Sequence, residues 1–131
     1  STLGKTLDPI TQDSCAFYER TAIFADYDGV ANGPQEGINI SKALADKDFL
    51  ILQNHGILTT GSMIDTTIWY FLNMEDACKS QLIAESVGKP IKIPHNVACN
   101  TRDYVANDLS AFVSLQPLLD LLWEEEKDFL D

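Results

Sequence analysis

Two histidines and three cysteines are the side chains in this sequence best suited to hold a metal or attack a substrate. His55 has the most telling setting. It follows the apolar run Leu50-Ile51-Leu52, sits inside Gln53-Asn54-His55-Gly56, and precedes Ile57-Leu58-Thr59-Thr60-Gly61. A neutral imidazole is the commonest metal ligand near neutral pH, although a lone histidine more often serves structure. Gly56 lets the backbone turn sharply beside the ring. The expectation is a histidine at a strand end, its ring half-exposed in a polar cleft. His95 has no histidine two residues away and so supplies no paired ligands. Cys15, Cys78 and Cys99 are odd in number, widely spaced and without a Cys-x-x-Cys pair, which fits reduced thiols and gives no support to a structural zinc cluster.

Other reactive arrangements are missing. Gly29, Gly33 and Gly37 do not form a Gly-x-Gly-x-x-Gly fingerprint, so they read as turn glycines rather than a nucleotide cradle. Ser14, Ser41 and Ser62 lack the Gly-x-Ser-x-Gly elbow of a serine hydrolase. Cys78 lies on an apolar helix face and reads as a buried thiol.

The elements that would position His55 follow from periodicity. Residues 49–52 form an uninterrupted apolar run, read as a buried strand, with Asn54-His55-Gly56 as its turn and residues 57–60 as a second short strand. Before them come a short helix after Pro9, a strand at residues 21–24, a turn-rich stretch at residues 26–33 and a one-faced helix at residues 34–46. After them, Ser62 to Asp65 reads as a capping box that opens a long helix. Its inner face is expected to be Ile64, Ile68, Phe71, Leu72, Met74, Cys78 and Leu82, until Gly88-Lys89-Pro90 stops it. Trp69, Tyr70 and Phe71 read as core or subunit contact. Residues 96–105 and 109–130 complete the chain as helices, with Pro117 near a break or a helix start. Strands alternating with helices argue for an α/β architecture.

Composition narrows the partners. A chain of 131 residues with 45% hydrophobic content is one domain at most and can pack a core. Its net charge of -11 disfavours nucleic acid. Glu124, Glu125, Glu126 and Asp128 read as a solvated helix face. No apolar run approaches the roughly 20 residues that span a bilayer, so the chain reads as soluble, without membrane association and cytoplasmic. It opens on Ser1-Thr2-Leu3 without an initiator methionine, which suggests a piece of a longer polypeptide.

Several segments in order resemble the second half of a class II aldolase/adducin domain, in its fungal and bacterial branch of poorly characterised members. They are Leu7 to Asp13, Tyr27-Asp28-Gly29, Glu36-Gly37, Leu50 to Gly61, and Met74-Glu75-Asp76-Ala77-Cys78. The resemblance implies a single truncated domain over residues 1–131 with a helical C-terminal portion from about residue 96. That domain would be part of an α/β/α sandwich with a mainly antiparallel central sheet. It implies a metal-dependent, zinc-type lyase acting on a small carbonyl or sugar-type substrate, with His55 as the third ligand of a divalent metal. The family's His-x-His pair and acid/base carboxylate are absent, which leaves the ligand set incomplete and the chain alone without activity. By the same resemblance Asp13 reaches a neighbouring subunit's site as a catalytic carboxylate, with Gln12 and Asn54 as substrate-binding positions. The bland alternative for Asp13 is that it merely favours the dipole of its short helix. The phosphate-binding residues fall in the missing part. The family's sites lie between subunits, so a homo-oligomer is implied. The alternative is a non-catalytic adducin-like oligomerisation module, tied to the actin cytoskeleton only by adducin analogy.

Overall fold

A buried four-residue strand organises the fold. The computed structural model describes residues 1–26, 29 and 33–126. Chain order runs from a 3-10 helix (Asp13–Phe17) through β1 (Thr21–Phe24), α1 (Pro34–Leu44), β2 (Phe49–Leu52), β3 (Gly56–Thr59), α2 (Ile64–Val87) and α3 (His95–Val105) to α4 (Asp108–Glu125). All four residues of β2 are buried, and successive side chains of a strand point to opposite faces. Phe49 and Ile51 accordingly pack with Phe17, Tyr70, Met74 and Ala77. Leu50 and Leu52 pack with Phe24 and, from α1, Ile40, Ala43 and Leu44. The result is an α/β fold with helices on both faces of a small sheet.

That sheet is mixed rather than mainly antiparallel. β1 and β2 run parallel, with Thr21 opposite Phe49 and Phe24 opposite Leu52, because α1 carries the chain back across one face. β2 and β3 are antiparallel, with Phe49 opposite Thr59 and Leu52 opposite Gly56. The strand at residues 21–24, the buried strand and the turn at His55 all fall where the sequence puts them. Of the turn-rich stretch, Tyr27, Asp28 and residues 30–32 lie outside the described residues, as do Asp128 and the last residues of the C-terminal helical pattern.

Three expectations need correction. Ser62 does not cap α2: the N-cap is Met63, with no side-chain cap bond, and the Ser62 hydroxyl donates instead to Asp108 Oδ2 at 2.7 Å. Asp108 also accepts from Thr66 Oγ1 at 3.1 Å, so the starts of α2 and α4 share one carboxylate. The buried stripe of α2 is Thr66, Tyr70, Met74, Ala77 and Gln81. Of the expected face only Met74 is buried, and Cys78 packs beside the core, whereas Ile64, Ile68, Phe71, Leu72 and Leu82 are exposed. Apolar residues surround α2 on all sides, so sequence contrast could not select its inner face. Polar Thr66 and Gln81 enter the core because their bonds are made there. Gln81 accepts from the Asp8 N–H at 2.7 Å, and this fixes the Asp8-Pro9 segment. Finally, Pro117 lies inside α4 rather than at a break. The bond it forgoes would go to the carbonyl of Val113, an exposed residue where water can take its place.

Candidate functional site

The parallel pair gives the sheet an entry end and an exit end. His55 belongs to the exit end, in the Gln53-Asn54-His55 turn that joins β2 to β3. Its N–H donates to the Leu52 carbonyl at 3.0 Å. Asn54 takes the left-handed conformation, φ 58°, which asparagine tolerates better than most residues. The imidazole is exposed rather than half-buried, because the turn projects beyond the strands that would otherwise flank it.

The N-terminal stretch meets this turn. The Gly4 N–H donates to the Ser1 carbonyl at 3.1 Å. Gly4 has φ +55°, and a Cβ there would fall 2.9 Å from Gln53 Oε1, so backbone conformation and close approach both require glycine. Gly4 therefore lies against Gln53 at the base of the His55 turn.

Gln12 and Asp13 open the 3-10 helix, and Asp13 shares a shallow pocket with Trp69, Asn73 and Asp76 of α2. Asp13 begins the 3-10 helix and is exposed. A reciprocal pair holds that helix: Ser14 Oγ accepts from the Thr11 N–H at 2.9 Å and Thr11 Oγ1 accepts from the Ser14 N–H at 3.1 Å. Phe17 then packs edge-on against Phe49, ring centroids 4.9 Å apart, at the first residue of β2. Arg20 completes the anchor, donating to Asp48 Oδ2 at 2.7 Å. Its guanidinium lies over the Phe49 ring, 4.9 Å from the centroid. Four residues of strand at about 3.3 Å each separate this end from His55 by roughly 13 Å. Among the described residues Asp13 and His55 belong to no common group of three His, Cys, Asp or Glu donors.

The fold and its matched turn agree with what sequence comparison finds. A sequence model for the "Class II Aldolase and Adducin N-terminal domain" matches residues 1–82. The chain belongs to the class II aldolase and adducin family. It is 36% identical over 118 residues to the decarboxylase NovR of Streptomyces niveus, an alignment covering 90% of this chain and 44% of that protein. It is 35% identical over 118 residues to the 4-hydroxy-3-prenylphenylpyruvate oxygenase/4-hydroxy-3-prenylbenzoate synthase of Streptomyces roseochromogenus subsp. oscitans, covering 90% of this chain and 43% of that one. In three dimensions it is similar to the L-fuculose 1-phosphate aldolase from Glaciozyma antarctica PI12, with a TM-score of 0.83 and 33% identity over 97% of this chain and 47% of that one. The chain thus spans less than half the length of these relatives.

Class II aldolases generally use a divalent metal, and a catalytic zinc normally has three protein ligands. Among the described residues His55 belongs to no group of three His, Cys, Asp or Glu donors. These residues do not by themselves complete a metal site at the turn. The one such group among the described residues is elsewhere, formed by Glu19, His95 and Cys99. Sequence reading missed it. The four-residue spacing of His95 and Cys99 on a helix was an available signal, but nothing in the sequence pointed to Glu19.

Proposed function

We propose that this chain is the C-terminal part of a class II aldolase-type lyase domain, in which His55 is the metal ligand contributed by residues 1–131. The remaining ligands, a His-x-His pair, and the acid/base carboxylate are assigned to polypeptide beyond these residues, and zinc is the metal best suited to such a nitrogen-rich set. In the complete domain the mixed sheet described above would be one part of a larger, mainly antiparallel one. The supporting observation is the close approach of Gly4 to Gln53, which brings the N-terminal stretch to the base of the hairpin that carries His55. His55 is exposed at that turn.

The reaction assigned is reversible carbon–carbon cleavage of a small carbonyl or sugar-type substrate. Asp13, with Gln12 beside it, would act in the site of a neighbouring subunit, and Asn54 would face substrate at the rim of its own. In the complete gene product, His55→Ala should lower cleavage across a panel of small hydroxycarbonyl compounds by about a hundredfold or more, at least matching what loss of an outer-shell partner costs. Activity unchanged by His55→Ala would overturn the proposal.

A second reading is favoured by one feature, the apolar surface along α2 and α4, where Phe71 is 43%, Leu121 50% and Trp123 58% exposed. A monomer rarely leaves so much apolar surface uncovered, so a homo-oligomer suits both readings. An adducin-like assembly module would keep this surface and dispense with the chemistry. Its link to the actin cytoskeleton rests on adducin analogy alone. Light scattering on the complete gene product should give the mass of several chains, and a single-chain mass at high concentration would contradict the assembly. Three free cysteines among the described residues suit a cytoplasmic setting, and no described helix is long and apolar enough to cross a membrane.

A further inference from the structure

We propose that Glu19, His95 and Cys99 form a binding site for a thiophilic divalent cation, zinc being the best match, separate from the His55 turn. One ligand atom from each residue lies within 4.8 Å of the other two. Cys99 Sγ is 3.8 Å from His95 Nδ1 and 3.8 Å from Glu19 Oε2, and His95 Nδ1 is 3.5 Å from Glu19 Oε1. In tetrahedral zinc coordination, bonds of about 2.0 to 2.3 Å put neighbouring ligand atoms about 3.4 to 3.6 Å apart. The two approaches to Glu19 use different carboxylate oxygens, so closing on one ion takes a rotation of that exposed carboxylate as well as a small movement of the other two side chains.

Local structure holds each donor in place. His95 is the first residue of α3, behind Pro94 at the N-cap, and Cys99 lies one turn later on the same side. Glu19 sits in the bend between the 3-10 helix and β1 with φ 60°, a left-handed conformation that costs a glutamate about 1 to 2 kcal/mol. That bend turns its carboxylate toward α3. Tyr18 Oη lies 3.2 Å from His95 Nδ1. Arg102 Nη1 donates to the Tyr18 carbonyl at 3.3 Å and lies 3.5 Å from Glu19 Oε2. Its charge opposes a cation, but the same guanidinium already donates to Asp103 Oδ1 at 2.9 Å.

Binding would replace the Tyr18 contact at Nδ1 by a metal bond and release the Cys99 thiol proton to solvent. A thiolate and a carboxylate then balance the dication, with water completing the tetrahedron. The thiol is as near the carboxylate as it is to the imidazole. This convergence suits a cation better than a thiol–imidazole–carboxylate relay, in which the carboxylate stands behind the ring.

The test uses the 131-residue chain under reducing conditions, titrated with cobalt(II) and then with zinc against a chelating dye. One equivalent should bind with a thiolate-to-cobalt charge-transfer band. Cys99→Ser should abolish the band, and it and His95→Asn should each weaken zinc binding by at least about tenfold. His55→Asn should change neither. Circular dichroism checks that each variant is folded. A missing band, zinc affinity unaffected by Cys99→Ser in a folded protein, or loss of binding with His55→Asn would overturn the site. So would a burst of Cys99 alkylation together with no metal binding, which would mark a nucleophile instead.

Discussion

His55 and His95 lie in opposite kinds of surroundings. His55 is embedded in a family-matched turn with a left-handed asparagine before it and a glycine after it, yet among the described residues it has no two companion donors. His95 opens an amphipathic helix with no motif around it, yet a carboxylate and a thiol stand within ligand distance of its ring. The difference shows what each kind of site requires. A turn is a local property, written in a few adjacent residues. A donor cluster is a tertiary property: Cys99 and Glu19 are 80 positions apart, and only the packing of α3 against the 3-10 helix brings them together.

The largest effect expected is on the framework that carries both regions. Phe49 is fully buried and packs edge-on with both Phe17 and Tyr70. Phe49→Ala should cost about 3 to 5 kcal/mol in chemical denaturation. Hydrogen exchange should then show lost protection both in the His55 hairpin and at the Glu19 bend. If only one end loosens, the two regions are mechanically independent and the comparison has to be redrawn.

Smaller effects should separate the left-handed residues of the two regions. Glu19→Gly removes a side chain from a φ of 60° and should raise stability of the metal-free chain by about 1 kcal/mol, while weakening zinc binding by at least about tenfold. Asn54→Ala places an ordinary side chain at φ 58° and should lower stability by about 1 kcal/mol without touching zinc binding by the 131-residue chain. Thermal melts and dye competition on both variants provide the check. Destabilisation by Glu19→Gly would mean that the carboxylate serves structure at that bend.

The smallest effect concerns thiol reactivity. Burial pushes the Cys15 and Cys78 thiols above the usual thiol range; the Asp13 charge adds to it at Cys15, while at Cys78 the N-terminal amine opposes it and Glu75 adds to it. A raised pKa keeps the thiol protonated to higher pH, so both should alkylate slowly near neutrality and faster only as pH climbs. Cys99, partly exposed on α3, should react first, and zinc should slow it selectively. Mass spectrometry after timed alkylation reads the order. If Cys78 is labelled before Cys99 at neutral pH, the burial argument for Cys78 is wrong.

The sequence made the sheet and its turn legible because β2 is uniformly apolar and the residues after it are turn formers, so local pattern and tertiary role agree. The helical face of α2 was not legible. Ile64, Ile68 and Phe71 look like core residues but face outward, while Thr66 and Gln81 look like surface residues but are buried, their polar atoms bonded to the Asp108 carboxylate and the Asp8 backbone. The same reason hid Ser62, whose hydroxyl serves α4 rather than its own helix. His55 could be found from its neighbours, but its exposure could not, since that depends on what lies beyond the hairpin. Asp13 could be singled out by resemblance, whereas its neighbours Trp69, Asn73 and Asp76 come from α2, far along the chain, which no local pattern states.

The two histidines are assigned to two different metal sites, one completed by polypeptide outside these residues and one closed within them. Zinc-edge anomalous scattering from crystals of the complete gene product grown with zinc tests this most directly. Two peaks per chain are expected. One should lie within coordination distance of the His55 ring, shared with ligands from outside residues 1–131, and the other among Glu19, His95 and Cys99. No peak at His55, or a Glu19–His95–Cys99 group left empty while zinc fills the His55 site, would contradict it.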